Sequence, residues 1–251
     1  MQKDEVLLQK RLIELSRTAY QRGIVTFSDF LNLNEQHILH SIPKKELHLR
    51  YELFGGYEFS ERQMVAFLPD ALCYEYEYPI STIRISPLSQ KFSETLSHRD
   101  YLGALLNLGI IRPVLGDILV GKEETVLFAQ KKIAAYIIEN LTKVKHTPVL
   151  ARATDIQTFS YTPSYEVVKG SIASVRLDAL LALAFSSSRS KMVPLIEAGK
   201  VFVNGKMITS NGCQIKERDL ISVRGFGRFT YIGQLSRTKK DRCYIELHKY
   251  I

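Results

Sequence analysis

Residues 176–208 read RLDALLALAFSSSRSKMVPLIEAGKVFVNGKMI, and the fold of the last third of the chain is decided by them. Leu177, Leu180, Leu181 and Ala184 recur at i, i+3, i+4 and i+7, which predicts one apolar stripe on a short helix. A serine turn at 186–188 follows. A second short helix is expected to bury Met192, Leu195 and Ile196, with Gly199 as its left-handed cap. Pro194 lies within that helix and has no amide to donate, so the helix is expected to start late or bend. Residues 201–203 and 206–208 flank Asn204-Gly205, the strongest short-range hairpin signal. A further strand at 220–223 follows the polar turn 216–219.

Charge concentrates in the same region. The 251 residues hold 34 basic and 26 acidic side chains, a net of +8. Residues 171–251 alone carry fourteen lysines and arginines against six aspartates and glutamates, also +8, so residues 1–170 balance to zero. Such a block inside a folded segment is the electrostatic footprint of a polyanion binder. Two short helices and a hairpin can set Arg176, Arg189, Lys191 and Lys200 against successive phosphates. Backbone amides at the start of the second helix add to the attraction. Structured RNA is recognised largely through shape, phosphate and 2′-hydroxyl contacts, which need basic groups at fixed positions and no catalytic group. Asp178 reads as structural, an acid complementing a helix N-terminus. Arg237, Lys239, Lys240 and Arg242 fall in a turn between strand-like stretches at 229–235 and 243–247 and are read as a second phosphate contact.

Upstream, three further stretches are distinguished. Residues 3–22, with Val6, Leu7, Ile13 and Tyr20 among charges, read as an amphipathic helix closed by Gly23. Residues 27–54 read as helical with a break near Pro43, and 63–68 as a short strand, giving a mostly helical N-terminal domain over 1–70. Residues 71–155 read strand (74–85, interrupted by Pro79), helix (100–108), two short strands (117–120 and 125–128), helix (131–141) and strand (148–153). The βαββαβ order is that of a ferredoxin-like, RNA-recognition-module-like α+β domain. Its third strand lacks the aromatic pattern that stacks bases, so single-strand readout by this sheet is not expected. Residues 156–173, with Pro163, Gly170 and several serines and threonines, read as a linker, and 174–251 as the C-terminal domain.

Arg176-Leu177-Asp178, Ser188-Arg189-Ser190, Leu195-Ile196, Gly199, Val203-Asn204-Gly205 and Asp219 together resemble the S4 RNA-binding domain across some 48 residues. Ser188, Ser190, Asn204, Lys206, Arg224 and Arg228 join the basic residues above as expected RNA contacts, with His98 and Arg99 as a secondary one. A C-terminal S4 domain, His98-Arg99-Asp100-Tyr101-Leu102-Gly103 and Gly116-Asp117-Ile118 in the middle, and Arg224-Gly225-Phe226-Gly227-Arg228-Phe229 together resemble the YlmH family of Gram-positive bacteria. That resemblance implies a non-catalytic, cytoplasmic, ribosome-associated binder of rRNA and tRNA. It also implies a role on stalled large subunits carrying peptidyl-tRNA, and a setting near cell-division genes.

Other classes are excluded or set second. The longest apolar run, residues 179–185, is far short of the roughly 20 residues of a membrane span. No secretory leader is read at the N-terminus. Cys73, Cys213 and Cys243 are scattered without a C-x-x-C pair, which fits a reducing compartment and no thiolate metal site. His98-Arg99-Asp100 lacks the asparagine a kinase loop places five residues after the aspartate, where Leu105 stands. His37 and His40 lack a third ligand nearby. No cofactor or metal is expected, and the chain is expected to act as a monomer. The alternatives kept are an RNA-modifying enzyme of pseudouridine-synthase type, with Asp100 or Asp117 as its acid, and a cell-division scaffold.

Overall fold

The computed structural model describes residues 3–47, 49–70, 74–89, 94–155 and 164–250. The chain divides into two compact units, Met1–Tyr161 and Thr162–Ile251.

The first unit opens with helix α1 (Lys3–Arg22), ended by Gly23 in the left-handed region at φ +64°. Its buried stripe runs through Leu12 and Ala19, with Leu8, Ile13 and Leu15 partly covered. Val6, Leu7 and Tyr20, expected on the apolar face, instead point to solvent. The helical reading of 27–54 holds for α2 (Leu33–Ser41), which Asn32 and Glu35 start with a capping box. It fails at Arg50–Phe54. That stretch is strand β2, whose Arg50 and Glu52 face water while Tyr51 and Leu53 pack inward, a period of two. With β1 (Thr26–Phe27) and β3 (Met64–Leu68) it forms a sheet in the order β1-β3-β2, so the segment is mixed rather than mostly helical.

The βαββαβ order appears as β4 (Ile80–Pro87), α3 (His98–Asn107), β5 (Leu115–Val120), β6 (Thr125–Gln130), α4 (Lys131–Asn140) and β8 (Thr147–Thr154). The first strand begins only after Pro79, so residues 74–79 are not strand. A two-residue strand, β7 (Lys143–Val144), precedes β8. Sheet order β5-β6-β4-β8-β7, with every neighbour antiparallel, is the ferredoxin-like arrangement extended by one edge strand. Helices α3 and α4 bury Tyr101, Leu105 and Ile137 against Ile83, Ile85 and Leu127 on one sheet face. The other face, at Val126 and Phe128, packs on Phe30, Tyr57 and Met64 from the N-terminal segment. The Tyr57 and Phe128 rings stack at 5.0 Å. Gly56, at φ +105°, passes so close that a β-carbon there would lie 2.3 Å from the Phe128 ring. This shared core makes one unit of the first two segments.

In the second unit the expected linker is corrected. Residues 156–163 lie outside the described residues, and Tyr165–Ile172 is strand β9. Val168, Gly170 and Ile172 alternate toward the core while Tyr165, Val167, Lys169 and Ser171 face water. Helices α5 (Leu177–Ala184) and α6 (Arg189–Glu197) follow, then β10 (Val201–Val203), β11 (Lys206–Ile208), β12 (Leu220–Val223), β13 (Gly227–Arg237) and β14 (Cys243–Tyr250). The sheet runs β11-β10-β12-β13-β14-β9. Leu177, Leu180, Leu181, Ala184, Met192 and Ile196 bury the two helices against Ile221, Val223, Ile245 and Leu247. Pro194 neither delays nor ends α6, which starts at Arg189 and runs through the proline.

Candidate nucleic-acid interface

The face presented by α5 and α6 is organised by one buried carboxylate. Asp178, in the first turn of α5, is only 2% exposed, and its backbone N–H donates to Asn211 Oδ1 at 2.9 Å. Arg176 Nε donates to Asp178 Oδ1 at 3.1 Å, and Arg189 Nε to Oδ2 at 2.7 Å. Arg189 reaches the same oxygen through Nη2 as well. Burial alone would raise the Asp178 carboxyl. Hydrogen bonds from Arg189 and Arg176 outweigh that penalty and hold it below its ordinary value. Asp178 is thus structural, as its position suggested, but it serves two arginines as well as the helix end.

Both arginines stay about half exposed, so one side of each guanidinium is fixed and the other is open to an anion. Ser188 precedes α6 without a side-chain cap on the helix amides, and its hydroxyl lies 2.9 Å from that of Ser190. Uncapped amides with Arg189 and Lys191 beside them suit an oxyanion. Lys191 and Lys200 are exposed and carry no ion pair among the described residues. Lys191 lies in the first turn of α6 and Lys200 just past its end, and the nine residues of the helix span about 13 Å. Gly199 (φ +64°) closes the helix with paired bonds: its N–H donates to Ile196 O, and that of Lys200 to Leu195 O.

Asn204 and Gly205 both have positive φ, 48° and 76°, the signature of a type I′ turn. The Asn204 side chain is spent on the fold. Its Nδ2 donates to Asp219 Oδ1 at 2.8 Å and its Oδ1 accepts the Leu220 N–H at 2.9 Å. Lys206, on β11, is exposed.

Of the remaining candidates, Arg224 adjoins this face, its N–H donating to Lys200 O at 2.9 Å. The Arg224 guanidinium sits 5.6 Å from the centre of the Phe202 ring, and that of Arg228 5.1 Å from Tyr250. Arg237 closes the far end of β13, nine residues on from Arg228, or about 30 Å along an extended strand. It pairs with Asp241 at 2.6 Å, while Arg242 Nη2 donates to Ser171 O at 2.6 Å; all four cations of the tip are exposed, and Lys239 and Lys240 carry no ion pair among the described residues.

In the first unit, His98 and Arg99 open α3. Desolvation and the neighbouring Arg112 guanidinium lower the His98 imidazole, against Asp117, so a cationic form is disfavoured. Asp100 and Asp117 are bound into the fold. Asp100 accepts from the Ser97 N–H and hydroxyl at 2.8 and 2.7 Å and pairs with Lys145 at 3.0 Å. Asp117 accepts from Tyr57 Oη at 2.9 Å and from the backbone N–H groups of Glu61 and Arg62 at 2.7 and 3.1 Å.

Comparison with known proteins agrees with this division. Residues 74–158 match the family model described as "Putative RNA-binding domain in YlmH", and residues 175–221 match the S4 domain model. The chain is similar to the YlmH family in its middle segment and carries an S4 domain after it. A Bacillus subtilis (strain 168) protein named ribosome-associated protein quality control protein P2 is 28% identical over 252 residues, spanning 98% of this chain and 96% of that one. A solved structure titled cell division protein ylmH from Streptococcus pneumoniae aligns with TM-score 0.51 and 24% identity. It covers 62% of this chain and 94% of that one, and supports the fold. The chain therefore reads as an RNA-binding protein with an S4 domain in its second unit. No helix among the described residues is long and apolar enough to cross a membrane.

Proposed function

We propose that the α5–α6 face binds structured RNA without catalysis, on rRNA and tRNA of the large ribosomal subunit, in cytoplasmic quality control of stalled ribosomes. The observation that carries the binding mode is the pair Arg176 and Arg189 held on buried Asp178, half exposed beside the uncapped start of α6. Fixed guanidinium groups lose little entropy when they meet phosphate, and their planar fork suits it. The ribosomal setting is carried over from the name of the Bacillus subtilis relative. The non-catalytic reading rests on Asp100 and Asp117, both of which are committed to hydrogen bonds within the fold. The printed title of the Streptococcus pneumoniae structure favours a second reading, a link to division.

Crosslinking the full chain to RNA in cells and sequencing the bound fragments tests the proposal. Enrichment of large-subunit rRNA and tRNA is expected, lost in an Arg176→Ala/Arg189→Ala variant. Enrichment of messenger RNA alone would overturn the ribosomal reading.

A further inference from the structure

The sheet of the second unit has two faces, and the helices cover only one. Ile221, Val223, Ile245 and Leu247 point into the core under α5 and α6, so their neighbours along each strand point the other way. On that outer face Tyr165 of β9 lies opposite Tyr250 of β14, and Val167 opposite His248. The Tyr165 and His248 rings stack across this diagonal, 4.1 Å apart and 10° from parallel. The Arg228 guanidinium sits over Tyr250, whose hydroxyl lies 2.9 Å from Thr230 Oγ1. Glu246, the acid of this face, is paired with Lys169 Nζ and His248 Nε2, both at 2.9 Å. Tyr165 is 42% exposed on β9, the last strand of this sheet among the described residues.

We propose that this outer face is a second RNA site, a stacking platform for unpaired nucleobases formed by Tyr165, His248, Tyr250 and Arg228. It rests on the reading of the chain as an RNA binder and adds a different ligand, a single strand rather than a folded one. Three ring systems and a guanidinium plane in one row offer π-faces to successive bases, a sequence-tolerant mode of binding. The charge fits the same ligand, because the unit that carries the row carries the chain's whole positive excess. Paired bases cannot reach the rings without being splayed out of their helix, so duplex RNA is excluded from this face. The row lies on β9, β13 and β14, outside residues 175–221 matched to the S4 domain, and is thus separate from the α5–α6 face. None of these strands carries an aromatic sequence motif. The row exists only because the strand register brings residues 165, 228, 248 and 250 together.

The test uses the full chain with two labelled probes, a ten-nucleotide oligouridine and a GC-closed RNA hairpin. Tyr165→Leu, His248→Leu and Tyr250→Leu keep apolar bulk and remove the ring. Each is expected to weaken oligouridine about tenfold, within the range of one stacked base, and hairpin binding less than twofold. Tyr165→Phe should retain oligouridine binding. A 5-bromouridine version of the oligonucleotide, photocrosslinked to the unaltered chain, should mark Tyr165 or residues 248–250, and this arm needs no variant to fold. Unchanged oligouridine affinity in folded Leu variants, equal loss for both probes, or crosslinks confined to α5–α6 would overturn the platform. Hairpin binding without any oligouridine binding would overturn the platform and leave the α5–α6 reading standing. Binding of neither probe would overturn both.

Discussion

Asp178 on α5 and Arg189 on α6 are joined at 2.7 Å across the turn between the two helices, with the carboxylate buried and the guanidinium half in water. The contact therefore fixes the geometry of a surface cation from inside the core. Replacing Asp178 with Asn keeps the shape and removes the charge that both arginines share. Hydrogen bonds to charged groups contribute about 1.5–3 kcal/mol when buried, and the half-exposed arginines reduce this, so a loss of about 1–2 kcal/mol is expected in urea unfolding. Affinity for structured RNA should fall with it. Because the folded carboxyl titrates below its ordinary value, its contribution is complete above about pH 4, the unfolded value, and is lost as pH falls through the lower folded value. Acid unfolding of Asp178→Asn should accordingly show a shallower dependence in that window than the unaltered chain.

Lys191 and Lys200 isolate the phosphate contribution from this structural role. Arg189 reads from sequence as a phosphate contact, yet its bond to Asp178 makes any Arg189 variant a stability variant too. The double change Lys191→Ala/Lys200→Ala removes two exposed cations that have no ion pair to lose among the described residues. Stability should stay within about ±0.5 kcal/mol per site. If both meet phosphate, the slope of log K against log salt should shrink by about 1.4–1.8. A fluorescence titration of structured RNA between 50 and 300 mM salt, or roughly that range, measures it. An unchanged slope would return both lysines to the role of solvated charges.

What could be read in advance follows the range of the interactions involved. The α5 stripe, the Gly199 closure and the Asn204-Gly205 turn depend on residues within a few positions of one another, and each was legible. Arg50–Phe54 was misread because a five-residue strand preceded by helix formers offers little period to detect, and its pairing with Met64–Leu68 decides it. The strand β9 looked like a linker for a similar reason. Its Pro163, Gly170 and polar residues are turn formers, while the partner that orders it, β14, lies some seventy residues on. Asp178 was recognised as structural, but Arg189 as its partner depends on how α6 folds back on α5. The spacing of the two residues, eleven apart, is not a contact in any single helix.

Asn204 illustrates the opposite outcome for a residue expected to touch RNA. Its side chain bridges the hairpin to Asp219 and the Leu220 N–H, and its backbone sits at φ 48°. Asn204→Ala places a β-branched-free but bond-less residue in the left-handed region and leaves Asp219 without that donor. The expected cost is about 1–2 kcal/mol of stability. The salt slope for RNA should not change, because no cation is removed. A slope change in the folded variant would restore Asn204 to the interface.

Asp100 and Asp117 test the absence of catalysis by the middle domain. The Asp100 carboxyl is held down to about 2 by the Ser97 hydroxyl and N–H and by Lys145, so it is an ionised acceptor at neutral pH and a poor proton donor. Asp117 anchors the segment from Tyr57 to Arg62 through three hydrogen bonds. Asp117→Asn should destabilise the first unit by about 1–3 kcal/mol, while Asp100→Asn should remove the acid-side stability that is lost as pH falls through about 2. Nucleoside analysis of cellular RNA should be identical for both variants and the unaltered chain. Loss of the same modified nucleoside from both folded variants would establish the enzyme reading instead.

Fragments test where the affinity resides and what the C-terminal unit needs in order to fold. Residues 1–161 balance their charges, whereas 162–251 hold the whole +8. The 162–251 piece should therefore keep most of the affinity for structured RNA, and 1–161 should bind weakly with a shallow salt slope. A piece beginning at residue 174, where the sequence alone would start the domain, is a different object. It lacks β9, which pairs with β14 in register from Tyr165↔Tyr250 to Cys243↔Ile172 and sends Ile172 into the core. Without it β14 becomes a bare eight-residue edge exposing Tyr244, Glu246 and His248 beside unpaired backbone groups, a template for association between chains. Size-exclusion chromatography should give a monomeric 162–251 piece and an aggregated or dimeric 174–251 piece. Thermal unfolding of the shorter piece should begin several degrees earlier, as the loss of one strand from a small domain requires. Equal stability and equal monomer content for the two pieces would mean that β9 is dispensable and that the linker reading of 156–173 was sound.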